Sequence, residues 1–297
     1  MDAGLEPAWA PVKRNAWGLE TVSKARGRPQ RMNPRRYALI TGASSGIGAA
    51  MARLAVSNGC DVGLVARRAD RLEALADELR ASDARAGVFM ADLSQAGAAQ
   101  KLAGEVSASG ARVDILVNNA GATVTKGFAG TALAEQIAFL ELTVVTPAAL
   151  AHAFLPNMLA RSWGRIINVS SIAALSSGAK GNTLYPAGKS FLLKFSQSLN
   201  AEVKARGVHV TAVLPGFVST EFQAANNIPM EGGGATRRFS QTPEEVAQEA
   251  WARNEKGHEI VVPGGPPKLA AAFMRFLPET WMRALTRAAA EKYYVGE

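Results

Sequence analysis

The sequence predicts an α/β fold in which a parallel sheet is covered by helices on both faces. Short, nearly continuous apolar runs alternate with segments of helical periodicity between Tyr37 and Gly264. Strands that are buried on both faces read as such runs, and helices between them imply a parallel sheet with right-handed crossovers. A glycine-rich turn at residues 41–48 joins the first apolar run to the first helical segment. A parallel sheet binds its ligand at the C-terminal ends of its strands, and we expect the functional residues there.

Seven apolar runs are predicted to be strands, and helical segments connect them. The strands are placed at residues 37–40, 61–66, 87–90, 113–117, 165–171, 208–214 and 258–262. The helices are placed at residues 47–58, around 72–79, from about 94, at 132–161, at 185–205 and from 242. The helix at 132–161 is expected to be interrupted near Pro147 and Pro156, because proline removes a helical hydrogen bond.

The chain divides into three parts by composition. Residues 1–36 hold prolines, glycines and a basic run without clear periodicity, and they are predicted to be a flexible basic arm. Residues 37–265 form the α/β domain, in which the glycine-, asparagine- and serine-rich segment 216–241 is expected to be a loop over the ligand. Residues 266–297 repeat apolar side chains at roughly helical spacing among arginines, which predicts a C-terminal helical extension.

Composition excludes several classes of protein. The chain of 297 residues is 48% apolar and 20% charged, which is typical of a globular enzyme and not of a disordered chain. No apolar run approaches the roughly 20 residues that span a bilayer, and the start lacks the basic and apolar regions of a secretory signal. The single cysteine, Cys60, fits a reducing compartment, and we expect a cytoplasmic location. The net charge of +8 comes from scattered basic residues, and we expect no nucleic-acid partner and no metal site.

The glycine-rich turn carries Gly42, Gly46 and Gly48 in the stretch Thr-Gly-Ala-Ser-Ser-Gly-Ile-Gly. Glycines in such a turn allow a tight bend, close approach of the backbone to a phosphate and close packing of helix on strand. The helix that follows offers free N–H groups and a partial positive charge to a pyrophosphate. A purely structural turn is the alternative for this motif alone. Its position between a strand and a helix favours nucleotide binding.

Four further signals follow predicted strands or open a helix. They are Asn118-Asn119-Ala120-Gly121, Ser170-Ser171, Tyr185-x-x-x-Lys189 and the stretch from Pro215 to Thr220. The spacing of four places Tyr185 and Lys189 on one face of a helix. Each signal alone could serve packing, but their joint order along one chain is far more specific.

Together with Asp92-Leu93, these motifs make the chain resemble the short-chain dehydrogenase/reductase family from Arg35 to Gly264. The resemblance implies a Rossmann fold, a doubly wound parallel sheet of about seven strands, and hydride transfer with a nicotinamide cofactor. It also implies which residues bind that cofactor. They are Gly42, Ser44, Ser45, Gly46, Ile47, Gly48, Arg67, Arg68, Asp92, Leu93, Asn119, Ala120, Gly121, Tyr185, Lys189, Pro215, Gly216, Val218 and Thr220.

The resemblance assigns the catalytic roles to Ser171, Tyr185 and Lys189. Tyr185 is expected to exchange a proton with the carbonyl or alcohol oxygen, and Ser171 is expected to orient that oxygen. A free tyrosine has a pKa of about 10, which is high for a proton exchanger near neutrality. Lys189 is expected to lower the pKa of Tyr185 and to hold the ribose hydroxyls of the cofactor.

Two departures from the family pattern concern the proton relay and the serine. Thr143 stands where members usually have an asparagine that steadies a relay water, and threonine cannot present an amide. The interval from Ser171 to Tyr185 is also one residue longer than usual. A loop at 176–181 could absorb the extra residue, or Ser170 or a rotated Ser171 could take the role.

The end of the second strand bears on the choice of cofactor. An enzyme that uses NAD places an acidic residue near this point, where it accepts hydrogen bonds from the adenosine ribose. Here the chain reads Ala66-Arg67-Arg68, with no acid before Asp70. A guanidinium suits bidentate binding of a 2′-phosphate. We therefore expect NADP(H), with Arg67 the larger contributor and Arg68 or Ser44 assisting. The alternative is that both arginines point into solvent.

The expected reaction interconverts a hydrophobic carbonyl compound and its alcohol, since Phe217, Phe222, Ile228 and Met230 suggest an apolar pocket. A non-catalytic Rossmann protein that senses nucleotides is the alternative. Members of the family commonly pair helices across a two-fold axis, and we expect a homodimer or homotetramer. The C-terminal helix could lie on a membrane surface, but covering the substrate cleft or joining a subunit is the favoured role.

Overall fold

The structure, a computed structural model of the chain, describes residues 35–124, 127–178, 183–219 and 240–276, together with positions 278, 280, 281, 283, 284 and 286. The first 34 residues, most of the segment 216–241 and the end of the C-terminal extension therefore lie outside the described residues. The predicted flexible arm and the predicted loop over the ligand stay predictions.

Seven parallel strands form one sheet, in the order β3-β2-β1-β4-β5-β6-β7. The strands are β1 (Tyr37–Thr41), β2 (Asp61–Ala66), β3 (Ala86–Met90), β4 (Val113–Asn118), β5 (Gly164–Val169), β6 (Val208–Val213) and β7 (Ile260–Val261). Each predicted strand is present, and the largest difference is the shorter β7. The predicted doubly wound Rossmann fold is confirmed.

Helices cover both faces of the sheet and bury two apolar layers. They are α1 (Gly46–Ser57), α2 (Ala69–Arg80), α3 (Ala98–Ala108), α4 (Leu133–Leu140), α5 (Thr146–Ala160), α6 (Leu184–Val203), α7 (Pro243–Glu255) and α8 (Gly265–Phe276). Side chains of α1, α2 and α7 pack with alternate strand residues on one face. Those of α3, α5 and α6 form the core on the other. Strands β1 to β6 thus contribute apolar side chains to both layers, which explains their apolar runs.

The strand order reverses at β1, which lies between β2 and β4. In an open parallel sheet, this reversal leaves a crevice at the C-terminal ends of the two strands that flank it. The glycine-rich turn leaves β1 at this point, and residues 118–121 leave β4 beside it. The topology therefore brings two of the predicted motifs to one edge of the sheet.

The helical stretch 133–160 contains one irregular turn and continues through both prolines. Glu141–Val145 is a π-helical turn between α4 and α5. Pro147 cannot donate a hydrogen bond to the carbonyl of Thr143 four residues earlier, and its ring crowds that carbonyl, which accounts for the widened turn. The expected interruption near Pro147 is therefore this turn. Pro156 lies inside α5, so the interruption expected there is not found.

By length and composition alone, Leu133–Ala160 could cross a membrane, since an 18-residue window within it has a mean hydropathy of 1.6. This differs from the expectation that no apolar run would be long enough. Leu150, Phe154 and Met158 are buried in the core against the sheet, however. A core helix passes the same test of length and hydropathy, and its packing accounts for the apolar composition.

Candidate active site

Hydrogen bonds from the end of β4 hold the glycine-rich turn in shape. The Thr41 hydroxyl accepts from the backbone N–H groups of Asn119 and Ala120, at 2.9 and 3.0 Å. The Asn119 amide donates to the carbonyls of Thr41 and Gly42, at 3.0 and 3.2 Å. Gly42 has a φ of +66°, and a Cβ on Gly48 would lie 2.2 Å from the Gly42 carbonyl oxygen. Both positions therefore need glycine.

The turn also fits an anionic ligand in its donor chemistry. Ser45 is the N-cap of α1 and makes no side-chain capping bond, and the N–H of Ala49 bonds back to the carbonyl of Ser45. The N–H groups of Gly46, Ile47 and Gly48 precede this first intrahelical bond, at the positive end of the helix dipole. A cofactor pyrophosphate suits such a site, because several N–H donors meet a partial positive charge there.

Arg68 reaches back from the end of β2 to the glycine-rich turn. Its guanidinium donates to the Ser44 and Ser45 hydroxyls, both at 2.9 Å. Arg67, the residue given the larger predicted role, is exposed, and its charge contributes to the environment of Asp92. The two arginines thus differ: one is bonded to the turn, and the other faces the surface beside it.

Asp92 and Leu93 follow β3 at the same edge of the sheet but differ in exposure. The Asp92 carboxylate accepts from the Ser94 hydroxyl at 2.7 Å. Burial would raise the pKa of Asp92, yet the hydrogen bonds from Ser94 and Gln95 and the nearby Arg67 lower it below its ordinary value. Leu93 is buried in the core, and its carbonyl accepts from the Thr146 hydroxyl at 3.0 Å. The Leu93 side chain therefore belongs to the core beneath the crevice.

The two serines after β5 have different partners. The Ser170 hydroxyl is buried and donates to the carbonyl of Lys189 at 2.7 Å. The Ser171 hydroxyl accepts from the N–H of Ala173 at 3.1 Å, which caps the short 3-10 helix Ile172–Leu175, and it is hydrogen-bonded to Tyr185. Ser171, and not Ser170, therefore faces the tyrosine. Residues 179–182 of the longer interval lie outside the part of the chain that is described.

Tyr185 and Lys189 share the inner face of α6, as their spacing predicts. The Lys189 ammonium lies 5.7 Å from the centre of the Tyr185 ring and donates to the carbonyl of Val169 at 3.0 Å. Burial lowers the pKa of Lys189 to about 8. Burial raises the pKa of Tyr185, and the hydrogen bond from Ser171 opposes that rise. The expected lowering of this pKa by Lys189 is not found, and burial of the phenol is the largest influence on it.

Thr143 lies in the π-turn and faces α6. It is 1% exposed, and its hydroxyl has no hydrogen-bond partner among the residues that the structure describes. Its methyl carbon occupies the space beside Gly188, where a Cβ would lie 2.9 Å away. Phe139, one turn earlier, packs with the Tyr185 ring at a centroid distance of 6.5 Å. The segment that carries Thr143 thus forms a wall of the site.

The stretch from Pro215 onward lies beside Ser171 and under α8. The Pro215 carbonyl accepts from the N–H of Ile172 at 3.0 Å. A Cβ on Gly216 would lie 2.9 Å from the Pro267 ring in the first turn of α8. Val218 is buried and pairs with Gln241, which brings the two ends of the segment 216–241 together. Thr220 lies outside the described residues.

This geometry agrees with comparison to known proteins. A sequence model of the short chain dehydrogenase family matches residues 36–230. The chain belongs to this family.

Three relatives illustrate how far the likeness extends. An uncharacterized oxidoreductase of Myxococcus xanthus is 35% identical over 195 residues, which cover 66% of this chain and 77% of the relative. The structure of a 7beta-hydroxysteroid dehydrogenase studied for its stereoselectivity superposes with a TM-score of 0.77 at 28% identity, over 84% of this chain and 96% of that one. A short-chain dehydrogenase from Sphingobium yanoikuyae in complex with NADPH gives a TM-score of 0.71 at 29% identity, over 82% and 97% of the two chains.

As a short-chain dehydrogenase, the protein is an oxidoreductase of a family that binds NAD(P) and acts on small molecules. The predicted motifs meet at one edge of its sheet. Across the described ranges, with their gaps, no group of three or more histidine, cysteine, aspartate or glutamate side chains could hold a metal ion.

Two residues of the short-chain dehydrogenase site are absent from the sequence-based prediction. Phe139 of α4 packs with the Tyr185 ring, and Gly188 lies between Tyr185 and Lys189 in α6, where Thr143 fills the space beside it. Gly188 carries a signal that the sequence contains, because a glycine inside a helix lowers helix stability and often marks a close approach. Phe139 carries no such signal, since an apolar residue in an amphipathic helix is usually a core residue.

Proposed function

We propose that this protein is an NADP(H)-dependent reductase that interconverts a hydrophobic carbonyl compound and its alcohol. The observation that carries the proposal is the convergence of three side chains beside the glycine-rich turn. Ser171 is hydrogen-bonded to Tyr185, and Lys189 lies one helical turn further along α6. A non-catalytic nucleotide sensor would have no need for a buried lysine beside a hydrogen-bonded tyrosine and serine.

The proton chemistry follows from the environments of the three side chains. When bound, NADP(H) supplies or accepts the hydride. Tyr185, whose pKa burial raises, stays protonated at neutral pH and suits donation of a proton to a carbonyl oxygen. Ser171 holds that oxygen by a hydrogen bond and stabilises the charge that develops on it. With a pKa of about 8, Lys189 carries its charge at neutral pH, where it can stabilise the phenolate that Tyr185 leaves behind.

The residues at the glycine-rich turn support the choice of NADP(H). Both side chains that follow β2 are arginines, and the guanidinium of Arg68 already lies on the Ser44 and Ser45 hydroxyls. A 2′-phosphate would meet positive charge and several donors here. Charge-assisted hydrogen bonds contribute about 1.5–3 kcal/mol each, which corresponds to at least a tenfold preference. The similar Sphingobium enzyme is an NADPH complex, which agrees with this choice.

The apolar character of the substrate is supported by the exposed side chains near the site. Phe217 is 50% exposed just beyond Gly216, and Phe128 is 56% exposed in a small pocket that Val124 and Leu184 also line. Phe222, Ile228 and Met230 lie outside the described residues. The 7beta-hydroxysteroid dehydrogenase to which the chain is similar acts, by its name, on a large apolar alcohol. The packing of Pro267 on Gly216 supports α8 as a cover of the cleft.

The test is a screen with both cofactors in both directions. Purified protein is incubated with NADPH or NADH and a graded panel of ketones and aldehydes, and with NADP+ or NAD+ and the matching alcohols. We expect oxidation of NADPH with bulky apolar carbonyl compounds. Tight NADPH binding without turnover of any compound would instead support the nucleotide sensor.

The oligomer is proposed to form through α4 and the π-turn. Leu133, Ile137, Leu140 and Val145 are exposed on this stretch at roughly helical spacing. A second copy would bury this stripe across a two-fold axis.

We expect a homodimer or homotetramer by light scattering at micromolar concentration, and Ile137→Glu is expected to weaken the association. Ala74→Glu on the exposed side of α2 is the matched control. A monomeric wild type would contradict the proposal.

A further inference from the structure

The contact between Thr143 and Gly188 places two residues of facing helices unusually close. A Cβ on Gly188 would lie 2.9 Å from the Thr143 methyl carbon and 3.2 Å from the Phe139 ring. Real Cβ atoms are almost never found that near another carbon, so any other residue at 188 would push the helices apart or turn Thr143. The methyl group of Thr143 is therefore packed in the space that the missing side chain leaves.

The packing of the methyl group decides where the Thr143 hydroxyl points. Threonine in a helix divides between two χ1 rotamers, because one of them lets the hydroxyl bond a carbonyl three or four residues earlier. Thr143 makes no such bond, although its hydroxyl is buried. A buried hydroxyl without a partner costs free energy, and native proteins pair nearly all such groups with protein or ordered water. The methyl contact with Gly188 thus keeps the hydroxyl away from its usual backbone partner.

We propose that Gly188 is a positioning residue, which holds the Thr143 hydroxyl in the active site for an ordered water or a substrate oxygen. This inference rests on the proposed function, because it gives the hydroxyl a role beside Tyr185 and Lys189. Gly188 precedes Lys189 in the chain and follows Tyr185 by three residues. A displacement of this turn would therefore move Tyr185 and Lys189 as well.

A double-mutant cycle tests the pair through stability, which needs no turnover. Gly188→Ala is expected to lower the Tm of the wild type by at least about 2 °C, because the new Cβ meets the Thr143 methyl group. Thr143→Ser removes that methyl group and keeps the hydroxyl. In this background, Gly188→Ala is expected to lower the Tm by less, since only the 3.2 Å approach to the Phe139 ring remains and alanine favours a helix over glycine. Gly104→Ala is the matched control, because Gly104 lies in α3 with open space around it.

The same variants test the role in the reaction. Gly188→Ala is expected to lower kcat at least tenfold and, because Lys189 moves with the turn, to raise the KM for NADPH. Thr143→Ser is expected to lower kcat a few-fold, because the freed hydroxyl can rotate. The double variant is expected to have the same kcat as Thr143→Ser. Thr143→Val keeps the shape and removes the hydroxyl, and it is expected to lower kcat at least tenfold without lowering the Tm.

Either half of the inference can fail alone. If Gly188→Ala changes the Tm equally in the wild type and in the Thr143→Ser background, residues 143 and 188 are not coupled and the proposal is overturned, independently of any activity measurement. If Thr143→Val retains the wild-type kcat, the hydroxyl has no role and the proposal is overturned. A protein that turns over no carbonyl compound would refute the proposed function, while a smaller loss of Tm in the Thr143→Ser background would still show the contact between residues 143 and 188.

Discussion

Replacement of Tyr185 by phenylalanine is expected to lower kcat by roughly 10²–10⁴-fold, the usual contribution of a positioned proton donor. Phenylalanine keeps the ring that packs with Phe139 at 6.5 Å and removes only the hydroxyl. The affinity for NADPH is therefore expected to stay largely intact. Steady-state kinetics with the best ketone of the screen and titration of NADPH fluorescence measure the two quantities.

Lys189→Ala is the contrasting variant, because Lys189 is proposed to contact the cofactor as well as to stabilise the phenolate. It is expected to weaken both NADPH binding and kcat. Its ammonium also donates to the Val169 carbonyl, and a Tm measurement separates any loss of folding from loss of function. Substantial turnover by the Tyr185→Phe variant would contradict the assignment of Tyr185 as the proton donor.

The second large effect concerns the cofactor, and Arg67→Asp is expected to reverse the preference for NADPH. The loss of one charge-assisted hydrogen bond of about 1.5–3 kcal/mol corresponds to a loss of roughly 10- to 150-fold in kcat/KM with NADPH. The new carboxylate also repels a 2′-phosphate and can accept hydrogen bonds from ribose hydroxyls, which favours NADH. The ratio of kcat/KM for the two cofactors, in the wild type and the variant, is the measurement.

Arg68→Asp is expected to behave differently, because Arg68 bonds the Ser44 and Ser45 hydroxyls of the turn. Its loss disturbs the turn itself and is expected to weaken both cofactors, with a smaller change in their ratio. Arg206→Asp makes the same change of charge in the turn before β6, at the opposite edge of the sheet, and is the control. A wild type that uses both cofactors equally would contradict the assignment. So would an Arg67→Asp variant that keeps its preference for NADPH.

Much of the fold could be predicted because its signals are local in the chain. A strand buried on both faces is a run of apolar residues, and residues 38–40 of β1, 62–65 of β2 and 115–117 of β4 are such runs. The capping box at Thr242 and Glu245 forms within four residues, and both of its hydrogen bonds are present. The spacing of Tyr185 and Lys189 needs only the geometry of a helix. These features follow from neighbours in sequence, so the sequence specifies them.

The details of the site depend on residues that are far apart in the chain. The sequence alone could not predict those details. Ser170 and Ser171 are adjacent and chemically identical, and only the position of α6 turns one toward the Lys189 carbonyl and the other toward Tyr185. The pKa of Tyr185 likewise depends on how much water the surrounding helices exclude. A charge four residues away suggested a lower value, but burial raises it.

The sequence by itself determined the order of strands and helices, the glycine-rich turn at the end of β1 and the identities of the groups that meet there. Only the tertiary structure decided that Thr143 packs its methyl group against Gly188, 45 positions later in the chain, and leaves its hydroxyl without a described partner. It also decided that Arg68 bonds the turn while Arg67 faces the surface. The physical reason is the same in each case. Secondary structure follows from local periodicity and hydrogen bonding, whereas burial and side-chain partners are set by segments that the chain brings together only when it folds.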